Sequence, residues 1–135
     1  DGHGQLSISY FPLLTQRDYD HLLWACDLNF VRGEDSLVRA LWAGQAFVWQ
    51  IYPQHDDAHL TKLHAFLERL DAPPSLRAFH IHWNARTACG EATGSPAPDL
   101  TDLPSWQSWA RSIGSRLMGQ DDLCTRLLHF VAKNR

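Results

Sequence analysis

The chain has 135 residues, 44% hydrophobic and 20% charged, which suits one core and one ordinary domain. A net charge of −3 argues against a nucleic-acid partner, which would need a basic face, and no apolar run approaches the roughly 20 residues of a membrane span. Three cysteines (Cys26, Cys89, Cys124), odd in number and without CxxC spacing, give neither a disulfide framework nor a common zinc pattern. With no signal-peptide or anchor pattern visible, a cytoplasmic, reducing setting is expected.

In chain order, "QLSISYF" (5–11) alternates polar and apolar residues as a half-buried strand does, and Pro12 ends it. "TQRDYDHLLWACD" (15–27) has the spacing of a helix, with Thr15 as its N-cap. "LNFV" (28–31) predicts a short buried strand. "EDSLVRALWA" (34–43) predicts a helix with Gly44 at its C-terminal stop, and "AFVWQIY" (46–52) is the strongest strand pattern of the chain. Strand, helix, strand, helix, strand with short connections predicts parallel βαβ units. Trp24, Trp42 and Trp49 lie within these apolar patterns and read as core.

Beyond Pro53, "DDAHLTKLHAFLERL" (56–70) predicts an amphipathic helix with Leu60, Leu63, Phe66, Leu67 and Leu70 on its stripe. "SLRAFHIHWNA" (75–85) fits a helix, although "FHIHW" also alternates as a strand would. "CGEATGSPAPDLTDLP" (89–104) has loop composition. Two more helices are predicted at 105–118, with Ser105 as N-cap, and at 121–133, with acids at its start and Lys133 at its end. The sum is an α/β fold: a Rossmann-like parallel half-sheet with a helical C-terminal section, one domain over residues 1–135.

The turn between the strand at 28–31 and the helix from 34 carries Arg32, Gly33, Glu34, Asp35 and Ser36 side by side. Ligands of open α/β sheets bind beyond the carboxyl ends of the strands, where helix N-termini present free N–H groups. Gly33 permits a sharp turn and close backbone approach, and Arg32 can fork onto phosphate oxygens. Ser36 adds a neutral donor. Glu34 and Asp35 suit sugar hydroxyls better than phosphate, so the set describes a nucleotide-sugar site. An ordinary helix start, with acids at the positive end of the dipole and Arg32 paired to one of them, accounts for the same residues. The run is neither GxGxxG nor a P-loop.

The stretch "LLWACDLNFVRGEDSLVRALWAGQAFVWQIYPQHDDAHLTKLHAFL" resembles the C-terminal half of the bacterial elongation factor P arginine rhamnosyltransferases (EarP). The resemblance is most specific in "DLNFVRGEDS", "RALWAG" and "FVWQIYPQ…AHLTKL", and strongest over residues 6–70. It implies the C-terminal, nucleotide-sugar-binding domain of a GT-B glycosyltransferase, with the N-terminal acceptor domain absent. The implied reaction is inverting transfer of L-rhamnose from dTDP-β-L-rhamnose to an arginine of elongation factor P, without metal or other cofactor. Arg32, Asp35 and Ser36 fall where the family binds the nucleotide diphosphate, Glu34 where it has an activity-essential acid, and Gln16 where it contacts the thymine. Tyr52, just after the strand, is placed as a wall of the nucleotide pocket. Residues supplied by the N-terminal domain hold or deprotonate the acceptor arginine, so the chain alone is expected to be inactive. The alternative is a nucleotide-binding or interaction domain that keeps the fold without the chemistry.

"HDDAH" (55–59) sets two histidines at i and i+4, as the zincin HExxH does, but with Asp second and Pro53 close to the helix start. Solvent-facing or capping histidines are expected there, and no metal. "HIH" (80–82) could pair its histidines only on a strand. "RDYD" (17–20) reads as an exposed first helical turn rather than an acid pair. The basic residues near the end are spread around two helices and form no patch.

Overall fold

The strands of the computed structural model, which describes residues 7–54, 58–89 and 100–134, are β1 (Leu28–Arg32) and β2 (Ala46–Gln50). They pair in parallel, with Leu28 opposite Ala46 and Arg32 opposite Gln50. A parallel pair cannot be joined by a tight turn; here the crossover is α2 (Glu34–Ala43), stopped by Gly44 in the left-handed conformation. Before them lies α1 (Gln16–Ala25), where Thr15 Oγ1 accepts the backbone N–H of Asp18 as the sequence predicts for its cap. After them come α3 (Ala58–Arg69), α4 (Pro74–Cys89), α5 (Leu103–Met118) and α6 (Leu123–Lys133).

Helices α1 and α2 pack on each other, while α4 and α5 pack on β2. Every residue from Ala46 to Trp49 is buried, as a strand covered on both faces requires. Phe47, Trp49, Leu63, Leu67, Leu76 and Trp106 form the centre of the core. By contrast, α6 buries none of its side chains and leaves Leu123, Leu128 and Phe130 largely exposed. Among the described residues no helix is long and apolar enough to cross a membrane.

The far edge of β2 is occupied by side chains of a helix. His80 Nε2 accepts the Trp49 N–H at 3.0 Å, and its Nδ1 lies 3.0 Å from the Leu76 carbonyl. One turn on, Asn84 Oδ1 accepts the Ile51 N–H at 2.9 Å and its amide donates to the Trp49 carbonyl at 2.9 Å. Buried backbone groups must be paired. Two polar side chains at i and i+4 on α4 do here what a third strand would do.

This layout corrects several expectations while keeping the class, a parallel α/β half-sheet followed by helices. The predicted strand at 5–11 is absent from its described part: residues 7–11 are irregular and exposed, with Tyr10 at 92%. Alternation alone supplies no hydrogen-bonding edge, and among the described residues β1 and β2 pair only with each other. The final strand ends at Gln50, two residues early, where Asn84 takes the next backbone N–H. "FHIHW" is helical, within α4. Helix α5 begins at Leu103, with Asp102 rather than Ser105 at the cap position. Trp49 is core, but Trp24 and Trp42 are half exposed. On the α3 stripe Leu63 and Leu67 are buried, while Leu60, Phe66 and Leu70 are partly so. The loop-like stretch predicted at 89–104 lies mostly outside the described residues.

Candidate nucleotide-sugar site

The turn after β1 is built around Gly33. Its φ of 79° with ψ of 174° is backbone that only glycine adopts readily. Its N–H donates to the Gln50 carbonyl at 3.2 Å, and its carbonyl accepts the Trp49 indole N–H at 3.1 Å. The chain therefore leaves β1 tied to β2 from above and to the core from below. A Cβ at Gly33 would sit 2.9 Å from Tyr52 Cε2, so the tyrosine ring lies against the bare backbone. The Arg32 guanidinium stacks over the same ring at 4.9 Å from its centroid, a cation–π contact. Arg32, Gly33 and Tyr52 are thus one unit, and among the described residues no carboxylate pairs with Arg32. The helix-start account of Arg32, which pairs it to Glu34 or Asp35, does not hold.

The two acids part company at the start of α2. Glu34 turns toward α3 and accepts the Lys62 ammonium at 2.9 Å. That hydrogen bond holds the Glu34 carboxyl below the usual carboxylate range. Lys62 in turn lies 5.7 Å from the centroid of the Trp49 ring. Asp35 turns toward α1, where it is exposed and meets Arg39 Nε at 3.4 Å. Arg39 also grips both carboxylate oxygens of Asp20 on α1, at 2.8 and 2.9 Å. The cap position of α2 is Gly33, with no side-chain cap, and an N-terminus of this kind suits an anionic ligand.

Between α1 and α2 lies an open groove of about 370 Å³, lined by Thr15, Gln16, Tyr19, Asp35, Ser36 and Arg39. It brings Gln16 to the face of Asp35 and Ser36 across some twenty residues of chain. Arg32, Gly33 and Tyr52 form the neighbouring unit around the turn, and Glu34 stands on the α3 side. Three residues that hold this arrangement carry no role in the sequence reading: Arg39, Lys62 and the Trp49 indole. Arg39 follows Asp35 at helical i+4 spacing, a signal the sequence does contain. Lys62 is 28 residues from Glu34, and nothing local announces it.

The histidines have structural roles. His59 is buried rather than solvent-facing, and its Nδ1 accepts the Gln54 N–H at 3.1 Å, pinning the chain that leads into α3. His64 is exposed, and His80 braces β2. His55 lies outside the described residues. No group of three or more metal-ligating side chains occurs among those that are described. In "RDYD", Asp18 lies in the exposed first turn, but Asp20 is drawn into the Arg39 pair.

A parallel β–α–β unit whose first turn exposes an arginine, a bare glycine backbone and a helix N-terminus defines the class as a Rossmann-like α/β unit, of the type that GT-B glycosyltransferases contain. Residues 1–132 match the family described as Elongation-Factor P (EF-P) rhamnosyltransferase EarP, and the chain belongs to that family. It is 55% identical over 137 residues to a protein-arginine rhamnosyltransferase of Shewanella oneidensis, covering 97% of this chain and 34% of the relative. The Pseudomonas aeruginosa protein of the same name is 44% identical, with 94% and 35% covered. A solved structure concerning the structural basis for EarP-mediated arginine glycosylation of translation elongation factor EF-P superposes with a TM-score of 0.65 at 37% identity, covering 92% of this chain and 40% of that one. The chain spans about a third of the length of the curated relatives it matches.

Proposed function

We propose that this chain is the donor-binding part of a protein-arginine rhamnosyltransferase, taking dTDP-β-L-rhamnose and serving transfer of L-rhamnose to an arginine of elongation factor P. The observation that carries the reading is the convergence of Gln16, Asp35 and Ser36 on one groove beside an Arg32 that has no carboxylate partner among the described residues. In this reading Gln16 and the α1 end of the groove take the thymine. Arg32, the Ser36 hydroxyl and the free N–H groups of α2 take the diphosphate, with Tyr52 as a wall and the Gly33 backbone allowing close approach.

The chemistry divides accordingly. As the glycosidic bond breaks, charge builds on the leaving diphosphate, and Arg32 with the helix N-terminus stabilises it where it develops. No metal is required of such a site. The sugar carbon becomes oxocarbenium-like, and a nearby carboxylate favours that state; Glu34, held ionised by Lys62, fills this role. The acceptor guanidinium is protonated below a pKa above about 12 and needs a base, which this reading assigns to the N-terminal domain of the full-length enzyme. The 135-residue chain by itself then binds donor without transferring sugar. In this reading the protein, acting on a translation factor, works in the cytoplasm.

Calorimetric titration of the chain with dTDP, dTDP-rhamnose and UDP tests the reading. The thymidine ligands should bind, and better than UDP. Equal affinity for all three, or no binding, would overturn it in favour of a domain that kept the fold alone.

A further inference from the structure

The groove is bordered by two helices that are also joined by an ion pair, and the spacing of the residues links the two facts. On α1, Gln16 and Asp20 are four apart and share a face; on α2, Asp35 and Ser36 precede Arg39 by four and three. Gln16, Asp35, Ser36 and Arg39 line the groove, and Arg39 meets Asp20 one turn further along both helices. Arg39 grips both Asp20 oxygens, at 2.8 and 2.9 Å, with the two side chains only 22% and 32% exposed. Both bonds come from the single Nη1 nitrogen, a charge-assisted contact that holds the two helices at a set distance. The Arg39 Nε reaches Asp35 at 3.4 Å, so one side chain ties α1 to the first turn of α2.

We infer that Arg39 is a positioning residue for donor recognition: through Asp20 it sets how far Gln16, at the base end, stands from Asp35 and Ser36 at the start of α2, and so whether one ligand seats its base and its diphosphate together. The inference rests on the donor-site reading above. It has a consequence that a purely stabilising pair lacks. Seating base and diphosphate together spans two helices and depends on their separation. The diphosphate end alone, built from Arg32, Tyr52, Ser36 and the α2 backbone, lies around one turn and does not depend on it.

Asp20→Asn separates the two, because it removes the charge and one oxygen while leaving Arg39, Asp35 and the groove lining in place. Affinities of the 135-residue chain for dTDP and for inorganic pyrophosphate are measured by calorimetry, with melting temperatures recorded alongside. The expected result is a dTDP affinity lowered about fivefold or more, in the range of ordinary coupling between sites, with pyrophosphate binding unchanged and Asp20→Glu restoring most of the loss. Should Asp20→Asn fail to fold, Asp20→Ala carries the same test, since it removes the carboxylate that Arg39 holds without touching the groove lining. A lower melting temperature with unaltered dTDP affinity, or equal weakening of both ligands, overturns the positioning role. A wild-type chain that binds neither dTDP nor pyrophosphate overturns the donor-site reading as well.

Discussion

Acidification should destabilise this protein through one histidine. His80 has no solvent exposure, and burial pushes its pKa down to about 4. Its geometry gives the same answer. Nε2 must be bare to accept the Trp49 N–H, and Nδ1 must carry the proton to donate to the Leu76 carbonyl. Protonating Nε2 would set two N–H groups against each other at the edge of β2. The unfolded chain has no such restriction and takes up the proton near pH 6.5. The folded pKa lies below the unfolded one, so the unfolded state binds more protons and stability falls as pH falls. The loss begins near pH 6.5 and is complete below about 4. With the two values 2.5 units apart and about 1.4 kcal/mol per unit, it totals about 3 kcal/mol, of which about 2 kcal/mol is gone by pH 5. Glu34 and Asp122, whose pKa values are lowered from 4.5 and 3.8, contribute only from about pH 5 downward. Urea unfolding followed by tryptophan fluorescence at pH 7 and pH 5, at matched ionic strength, measures the effect. His80→Gln should be less stable at pH 7 but respond more weakly to pH over the same interval. A wild-type unfolding free energy that does not change between pH 7 and 5 would refute the reasoning, and so would a variant with the full wild-type pH dependence.

Three further outcomes bear on the site. Gly33→Ala should cost about 1–3 kcal/mol, the range for a non-glycine residue forced into glycine-only backbone; it must also push Tyr52 aside, so thermal melting and dTDP titration should both show the damage. Arg32→Ala should weaken dTDP by about 10- to 150-fold, the equivalent of roughly 1.5–3 kcal/mol for a charge-assisted contact, whereas Glu34→Ala should leave dTDP affinity near wild type and abolish transfer in the full-length enzyme. Wild-type dTDP affinity in Arg32→Ala would place the diphosphate elsewhere. Finally, EDTA should leave dTDP binding unchanged, and a loss restored by magnesium would show that a metal bridges the phosphates.

Local pattern carried the middle of the chain because each signal there is short-ranged. Thr15 caps α1, Gly44 stops α2 and the strands at 28–32 and 46–50 stand close to where propensity puts them. The turn at Arg32–Ser36 was legible for the same reason: five adjacent residues and the helix they start lie within one window. The resemblance to EarP, carried by "DLNFVRGEDS", likewise belongs to contiguous residues. What one window cannot hold was decided by tertiary structure. Glu34 and Asp35 are neighbours of the same charge, yet Lys62 on α3 draws one away and Arg39 with Asp20 orients the other. The alternation of 5–11 promises a strand, but a strand exists only where an edge is free to pair with it. "FHIHW" alternates just as well and became helix, because His80 and Asn84, one turn apart, satisfy the exposed edge of β2 from the side. Hydrogen-bond demand at a sheet edge is a property of the assembled fold, and it overrode a local preference that either conformation could have met.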